Sequence, residues 1–180
     1  MAIRKVARLG HPILRRRAQE IPLDKIASPE IRQLIDDMRD TMREYDGVGL
    51  AAPQVHESVR LVVTGDIHDP AADDKLLLEE KVLINPEITF LTQEEEAYWE
   101  GCLSIPDLRG MVSRPREISV KAYDRDGRKV EFRAEGFAAT ALQHELDHLD
   151  GIVFIDRMRD MKSLSFLKEF ERFVGEAGPE

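Results

Sequence analysis

The stretch from Gln143 to Asp150 contains the pattern H-E-x-x-H, formed by His144, Glu145 and His148. Two histidines four residues apart on a helix lie on the same face, where both imidazoles can bind one metal ion. Glu145 follows the first histidine directly and can act as a general base toward a water that the metal activates. The pattern therefore predicts a metal-binding helix, and the rest of the fold has to supply the remaining ligand.

The flanking sequence favours a helix at this position. Residues 137–142 contain no glycine or proline, and Gly136 and Gly151 mark the two boundaries. Gly151 falls where a glycine commonly ends a helix in a left-handed conformation. An amphipathic helix whose two histidines are ordinary surface residues would show the same pattern, so the motif alone leaves both interpretations open.

Composition limits the class of protein. The chain has 180 residues and is predicted to form one domain over residues 1–180. Its net charge of −9 argues against direct nucleic-acid binding, because phosphate contacts need a surplus of lysine and arginine. The single cysteine excludes an internal disulfide and favours a reducing compartment, so we expect a cytoplasmic protein, with an organelle as the alternative. No apolar run approaches the roughly 20 residues of a membrane span, so we expect no membrane segment.

Local patterns predict the other elements. Residues 28–45 predict a helix, because Ser28 can cap it, Pro29 suits its first position and apolar residues recur at helical spacing. Strands are predicted over residues 59–65, 81–91, 111–113, 117–123 and 130–135. A loop is predicted over 66–74, a solvated acidic turn at 94–96 and a hairpin turn at 124–127. A terminal helix is predicted over 162–174. We therefore expect an α+β fold in which mainly antiparallel sheets pack around a central metal-binding helix, with a C-terminal helix.

The third metal ligand can be sought in three places. In the extended pattern H-E-x-x-H-x-x-G-x-x-H it would fall at position 154, which is Phe154, so this possibility is closed. A glutamate from the terminal helix, Glu169 or Glu171, lies at a plausible distance along the chain. Cys102 is the other candidate, since a soft thiolate binds such metals well. Chemistry alone ranks Cys102 only modestly above Glu169, because a lone cysteine is usually a small buried hydrophobe.

Three separated segments resemble the signature motifs of peptide deformylases. They are Gly47-Val48-Gly49-Leu50-Ala51-Ala52-Pro53-Gln54, Glu100-Gly101-Cys102-Leu103-Ser104 and Gln143-His144-Glu145-Leu146-Asp147-His148, in the family's order. The resemblance extends from about Gly10 to about Met158. It implies one peptide-deformylase-like catalytic domain that removes the N-formyl group from the initiating methionine of new polypeptides and releases formate. It also implies that Cys102, His144 and His148 are the metal ligands.

The same resemblance implies a role for two further groups. In the family a side-chain amide and a backbone N–H meet the oxyanion that forms on the formyl group, and the matching groups here are Gln54 and the N–H of Leu103. Arg109 or Arg114 is expected to contact substrate or to pair with Glu100, and a structural role is the alternative for each.

The spacing on the metal-binding helix suggests how methionine is held. Phe137, Thr140 and Ala141 lie seven, four and three residues before His144, hence on its face. Together with Val48 they could line an apolar pocket for an unbranched thioether, and the same residues could simply be core. Gly49 lacks a side chain and would let substrate backbone lie along its loop. The predicted substrate-binding residues are therefore Val48, Gly49, Glu100, Arg109, Phe137, Thr140 and Ala141.

One thiolate with two imidazoles suits zinc or iron, and spacing cannot choose between them. The family resemblance implies one Fe(II) ion per chain, replaceable by Zn, Ni or Co. It also implies N-formyl-Met nascent peptides as partners. Some bacterial members approach the ribosome through a basic C-terminal helix, but here Lys162, Lys168 and Arg172 are offset by Glu169, Glu171, Glu176 and Glu180. We expect at most transient, salt-sensitive ribosome association.

Two other functions are compatible with parts of this pattern. A metallopeptidase with a glutamate ligand would share H-E-x-x-H and cleave internal peptide bonds, with Glu169 in place of Cys102 as the third ligand. A deformylase-like scaffold that only binds peptides would not be an enzyme. Such degenerate scaffolds usually lack catalytic groups, whereas Glu145, Gln54 and all three ligands stand in this chain.

Overall fold

The structure is a computed structural model that describes residues 2–72 and 75–174. Its helices are α1 (Pro29–Glu44), α2 (Gly136–Leu149), α3 (Phe154–Arg157) and α4 (Leu167–Phe173). Its strands are β1 (Gly49–Ala51), β2 (Leu61–Thr64), β3 (Ile67–His68), β4 (Leu76–Leu78), β5 (Lys81–Phe90), β6 (Glu95–Cys102), β7 (Ile105–Pro115), β8 (Glu117–Tyr123), β9 (Lys129–Glu135) and β10 (Ser165–Phe166). Glu176 and Glu180, which entered the charge count of the terminal helix, lie outside the described residues.

Helix α1 forms as the local signals predict. The Ser28 side chain accepts a hydrogen bond from the N–H of Ile31, and Pro29 occupies the first turn. Backbone N–H groups at the start of a helix lack partners within the helix. Ser28 gives one of them a partner, and Pro29 has no N–H that needs one. The stripe of Leu34, Ile35, Met38 and Met42 is buried, so the helical spacing of apolar residues did mark the core-facing side.

Two larger sheets and one short ribbon make up the β structure. A five-stranded sheet has the order β1-β2-β5-β8-β9, a three-stranded sheet has the order β10-β7-β6, and β3 pairs with β4. All pairs among these described strands are antiparallel. The expected α+β class with antiparallel sheets is therefore confirmed.

Helix α2 lies at the centre of the fold. One side packs on the five-stranded sheet through Ala138, Ala139, Leu142, Leu146 and Leu149, which share a core with Val62, Leu83, Ile118 and Val120. A separate cluster around Cys102, Val112 and Phe154 belongs to the three-stranded sheet and α3. A helix enclosed in this way has few solvated faces, and its polar side chains must find protein partners or a ligand.

Three local predictions were wrong. Glu95 and Glu96 lie in strand β6 rather than in a turn, because β6 pairs with β7 along nearly its whole length. Residues 66–74 include strand β3, which pairs with β4. The terminal helix begins at Leu167 rather than at residue 162, because Ser165 and Phe166 pair with Arg109 and Leu108 as β10.

Two of the contacts between the N-terminal segment and the body of the protein involve Asp37 and Gly151. Asp37 of α1, which is only 5% exposed, accepts hydrogen bonds from the N–H of Ala2, from Arg4 Nε and from Gln33 Nε2. Gly151 follows α2 with a φ of +75°, and an added Cβ there would lie 2.7 Å from the carbonyl carbon of Arg15. The first contact fixes residues 2–4, and the second lets the backbone around Arg15 pass close behind α2.

None of the described helices is both long enough and apolar enough to span a membrane.

Candidate active site

His144 and His148 lie on one face of α2, as the spacing predicts. Both side chains are buried, and their ring centroids are 5.1 Å apart in an edge-to-face arrangement. The ring of Phe154 stacks beside His144 with its centroid 6.2 Å away. Position 154 therefore supplies an apolar wall next to the two histidines, where the extended motif would have placed a third ligand.

Cys102 completes the group from another layer of the fold. It is the last residue of β6, and the Leu103–Ser104 turn that follows leads into β7. Its Sγ lies 3.2 Å from His148 Nε2, and ligand atoms of Cys102, His144 and His148 all fall within 4.8 Å of one another. Glu169 is exposed on α4 and does not join this group. The two alternatives that chemistry left open are thus distinguished by geometry in favour of Cys102.

The surroundings of Cys102 favour the thiolate. Burial opposes ionisation, but the charge of His148 and hydrogen bonds from both histidines outweigh it and hold the pKa of Cys102 well below its ordinary value. The sulfur also accepts hydrogen bonds from the N–H of Ser104 at 3.4 Å and from Gln54 Nε2 at 3.5 Å. A thiolate is the form in which cysteine binds a metal, so the group is ready to act as a ligand.

Glu145 points into the same space but is not part of the ligand group. It is buried, and its Oε2 hydrogen-bonds to no described residue. Burial raises the pKa of Glu145, although the positive charge of the two histidines opposes the shift. A buried carboxylate oxygen without a partner is costly, and its persistence beside a ligand group is typical of a functional site. A carboxylate with a raised pKa is suited to taking up and returning a proton.

Gln54 lies against the ligands, as the resemblance implies. It is almost fully buried, and its Oε1 accepts a hydrogen bond from the N–H of Ala51 at 2.8 Å. This contact fixes the amide so that Nε2 faces Cys102 and Ser104 Oγ, the latter at 3.3 Å. Leu103, whose N–H is the other predicted oxyanion donor, directly follows Cys102 and lines the same cleft as Gln54.

A line of buried charges supports His144 from behind. His144 Nδ1 lies 2.7 Å from Glu100 Oε2, and Glu100 accepts two hydrogen bonds from Arg114, at 2.6 and 3.0 Å. Arg114 also donates to Asp147 Oδ2 at 2.7 Å. Such a carboxylate partner leaves Nε2 of the ring free to bind a metal and fixes the orientation of the ring.

This arrangement separates the two arginines that the sequence could not distinguish. Arg114 pairs with Glu100 and is buried. Arg109 instead lines the cleft in front of the ligands and lies over Gly101, where an added Cβ would collide with its guanidinium. Glu100 was predicted to be a substrate-binding residue, but it is not among the residues that line the cleft and lies behind His144.

The cleft has a volume of about 480 Å³ and opens beside the ligand group. Val48, Gly49 and Arg109 line it together with Gln54, Cys102, Leu103, His144 and Glu145. Phe137, Thr140 and Ala141 do not line it: Thr140 is buried, and Phe137 packs edge-to-face on Tyr98 with a centroid distance of 5.5 Å. The assignment of these three residues to a methionine pocket stays a prediction.

Two features of the site were missed at the level of sequence. Asp147 occupies an unspecified position of H-E-x-x-H and joins the buried line of charges through Arg114. Arg8 lines the cleft from the N-terminal segment and donates a hydrogen bond to the carbonyl of Leu103. An acidic residue between the two motif histidines is a sequence signal that could have revealed Asp147, whereas nothing in the sequence places Arg8 near Leu103.

The donor set suits a single metal ion. A thiolate and two imidazoles are borderline-soft ligands that zinc and iron accept, and three protein ligands leave a further coordination position open. Glu145 lines the same cleft and is not one of the three grouped residues. Fold and site together define a metal-dependent hydrolase of the H-E-x-x-H type on an α+β scaffold.

Comparisons with known proteins specify the family. The sequence profile of the polypeptide deformylase family matches residues 3–164. Peptide deformylase of Leptospira biflexa is 38% identical over 175 residues, covering 95% of this chain and 96% of that protein. Peptide deformylase 1 of Bordetella pertussis is 42% identical over 164 residues, covering 91% and 92%. The Met-Ala-Ser-bound crystal structure of the class I type b peptide deformylase from Acinetobacter baumannii aligns with a TM-score of 0.81 at 39% identity, covering 87% and 98%.

The chain belongs to the polypeptide deformylase family. It is a hydrolase that removes the N-formyl group from nascent peptides.

Proposed function

We propose that Cys102, His144 and His148 hold one Fe(II) ion, which Zn, Ni or Co can replace, and that Glu145 is the general base of deformylation. The convergence of the three ligand atoms within 4.8 Å, beside the unpartnered Oε2 of Glu145, carries this proposal. The family resemblance favours iron among the metals that the donor set accepts. An Fe(II)–thiolate centre next to an open cleft should be sensitive to oxygen, so the metal must be measured without air.

The reaction is the hydrolysis of a formamide to formate and a free amine. A bound metal would supply Lewis-acid activation of water and of the formyl carbonyl. Glu145 takes a proton from the attacking water as the new C–O bond forms. It then delivers that proton to the nitrogen as the C–N bond breaks, so the carboxylate is regenerated. The raised pKa of Glu145, which its burial causes, suits both transfers.

Gln54 and the N–H of Leu103 stabilise the negative charge that develops on the formyl oxygen. The fixed Oε1 of Gln54 supports this role, because it prevents the amide from turning its oxygen toward the oxyanion. Among the described residues, Nε2 of Gln54 donates to Cys102 Sγ at 3.5 Å and to Ser104 Oγ at 3.3 Å. These are long hydrogen bonds that a formyl oxyanion can replace.

The substrate is an N-formyl-Met nascent peptide. Val48 and Gly49 line the cleft, with Gly49 close to Glu145, and Arg109 lines it beside Gly101. A Met-Ala-Ser peptide is bound in the A. baumannii relative, which supports a cleft for the first residues of a chain. Phe137, Thr140 and Ala141 would surround the methionine side chain, which requires Phe137 to leave room beside Tyr98.

Two features of cellular context complete the proposal. The ligand Cys102 must stay reduced, so we place the enzyme in the cytoplasm, with an organelle as the alternative. Ribosome association is transient at most, because Lys168 and Arg172 of α4 are accompanied by Glu169 and Glu171. Tight cosedimentation with ribosomes at physiological salt would contradict that part of the proposal.

A formate-release assay with formyl-Met peptides, run together with anaerobic metal quantification, tests the central proposal. Wild-type protein should release formate with one Fe(II) ion bound per chain. Glu145→Ala should keep its metal and lose activity, because Glu145 is not a ligand. Retained activity in Glu145→Ala would refute the assignment of the base.

The metallopeptidase alternative makes the opposite prediction for two variants. In our proposal Cys102→Ser loses metal and Glu169→Ala keeps it, because only Cys102 joins the histidines. Loss of metal in Glu169→Ala with full metal in Cys102→Ser would favour the alternative. Absence of formate release from metal-loaded protein would favour the scaffold that binds peptides without catalysis.

A further inference from the structure

The line of charges behind His144 continues to the opposite side of α2. Asp147 accepts one hydrogen bond from Arg114 and two from Arg157, at 3.1 Å from Nε and 2.6 Å from Nη2. Arg157 belongs to α3, and its side chain is 47% exposed, whereas the three members between it and His144 are buried. The sequence of contacts is Arg157, Asp147, Arg114, Glu100 and His144, with charges that alternate as far as Glu100.

Arg157 lies outside the catalytic cleft. It lines a separate cavity of about 820 Å³, which Gln143 and Asp147 of α2 also line and which none of the three proposed metal ligands lines. A peptide in the catalytic cleft therefore has no contact with Arg157. The buried charges give this arginine a route to the metal ligands, and Phe154 at the other end of α3 also contacts His144.

We propose that Arg157 is a positioning residue that acts through Asp147, Arg114 and Glu100 to hold the His144 ring in its ligand orientation. The inference rests on the proposed metal site and deepens it. Arg157 is not a catalytic residue, since it touches neither the ligands nor the substrate.

The balance of charge explains why Arg157, the outermost residue of this line of charges, affects the orientation of His144. With Arg157 present, two guanidinium groups neutralise the carboxylates of Glu100 and Asp147. Without it, Arg114 alone serves both acids, and Asp147 keeps a single hydrogen bond from Arg114. A buried carboxylate that loses its partner is strongly unfavourable, so Asp147 draws Arg114 toward itself. The two hydrogen bonds from Arg114 to Glu100 then weaken, and Glu100 is freer to turn away from His144.

His144 is the ligand for which such support counts most. Nδ1 of His148 is buried and hydrogen-bonds to no described residue, so no described carboxylate holds that nitrogen. Among the two imidazoles, only His144 has a carboxylate partner that fixes its tautomer. Partners of this kind commonly change metal affinity by about 10- to 100-fold when they are removed. Since three residues lie between Arg157 and the His144 ring, we expect an effect at the lower end of that range.

The experiment compares zinc-loaded full-length variants. Arg157→Met removes the charge and keeps much of the side-chain volume, and Arg157→Lys restores the charge without the planar pair of donors. Arg159→Met is the matched control, because Arg159 lies two residues away and pairs with Glu95 instead of Asp147. The first readout is the rate at which zinc is released to excess chelator. The second is the solvent exchange of the His144 Nδ1 proton, observed by NMR with ¹⁵N-labelled histidine.

Arg157→Met should release zinc about 10-fold faster than wild type and show faster exchange of the His144 proton. Arg157→Lys should recover part of both effects, and Arg159→Met should match wild type. If Arg157→Met does not fold, Arg157→Gln replaces it with the same expectation. Release within twofold of wild type, or equal acceleration in Arg159→Met, would overturn the role of Arg157. A wild-type protein that binds no zinc would instead overturn the metal site itself.

Discussion

Gly49 is the position at which one added carbon should do most harm to catalysis. A Cβ built on Gly49 would lie 2.7 Å from both Cγ and Oε1 of Glu145 and 2.9 Å from its Cδ. Carbon atoms in contact need about 3.5–4.0 Å, so the Gly49→Ala substitution requires a displacement of about 1 Å. The backbone of Gly49 is held by antiparallel pairing of β1 with β2, and the side chain of Glu145 is therefore the group that moves.

The loss of catalytic rate in Gly49→Ala can be estimated from the role that we assign to Glu145. A misplacement of about 1 Å in a catalytic group lowers the rate by about 10²-fold. We expect kcat for formate release to fall by about this factor in Gly49→Ala. The metal content should remain normal, because neither residue is a ligand. Overpacking of a buried site also costs about 1–3 kcal/mol, so the melting temperature should fall modestly.

Gly65→Ala is the control for this experiment. Gly65 follows β2, and its added Cβ would meet only Met42 Cε, at 3.4 Å, which is an ordinary contact with the end of a flexible side chain. This variant should retain wild-type kcat. If Gly49→Ala also keeps kcat within threefold of wild type, the close approach of Gly49 to Glu145 does not control catalysis and the reasoning is refuted.

Three further predictions concern other parts of the molecule. Gln54→Ala should lower kcat by about 10²- to 10³-fold with metal retained, because it removes an oxyanion donor; an unchanged kcat would contradict that role. Gly151→Ala should destabilise the fold by at least about 2 kcal/mol in chemical unfolding, because the left-handed φ and the contact with the Arg15 backbone both oppose a side chain. Asp37→Asn should reduce the acid sensitivity of stability. Burial raises the pKa of Asp37, but hydrogen bonds from its neighbours outweigh burial and lower the pKa. The contribution of Asp37 to the free energy of unfolding is therefore present above the unfolded pKa of about 3.9 and is lost as pH falls through the folded pKa. Equal acid sensitivity of the melting temperature in variant and wild type would exclude such a contribution.

The parts of the fold that sequence predicted well are those with local causes. Helix α1 was predicted over 28–45 and runs over Pro29–Glu44, because its cap, its proline and its apolar stripe all lie within the helix. Strands β8 and β9 were predicted over 117–123 and 130–135, and the structure has them at Glu117–Tyr123 and Lys129–Glu135. In each case the side chains of the element itself contain the signal.

The parts that sequence missed depend on partners distant in the chain. The acidic residues at 94–96 look like a solvated turn when read alone, yet β7 pairs with β6 and extends it through Glu95 and Glu96. The start of α4 was placed five residues too early, because Ser165 and Phe166 are drawn into pairing with β7. Tertiary pairing of this kind overrides local propensity, and no window of neighbouring residues shows it.

The candidate site shows the same division between local and distant causes. Two histidines four residues apart lie on the same face of a helix, so the sequence of α2 alone predicts two of the ligands. Cys102 comes from β6, more than forty residues earlier, and only the packing of the three-stranded sheet against α2 brings its sulfur to 3.2 Å from His148. Chemistry alone therefore ranked Cys102 only a little above Glu169, and the family motifs were needed to separate them.

The buried charges behind His144 also depend on residues distant in the chain. Asp147 stands between the motif histidines in sequence, but its side chain points away from the ligands, toward Arg114 and Arg157. The motif thus uses both sides of α2: one side presents the two imidazoles and Glu145, and the other anchors the support for His144. Because the anchor needs a cation from β7 and a second from α3, the H-E-x-x-H helix cannot orient its first histidine in this way by itself. The ligand geometry is therefore a property of how α2 is enclosed, and isolated copies of the motif would lack it.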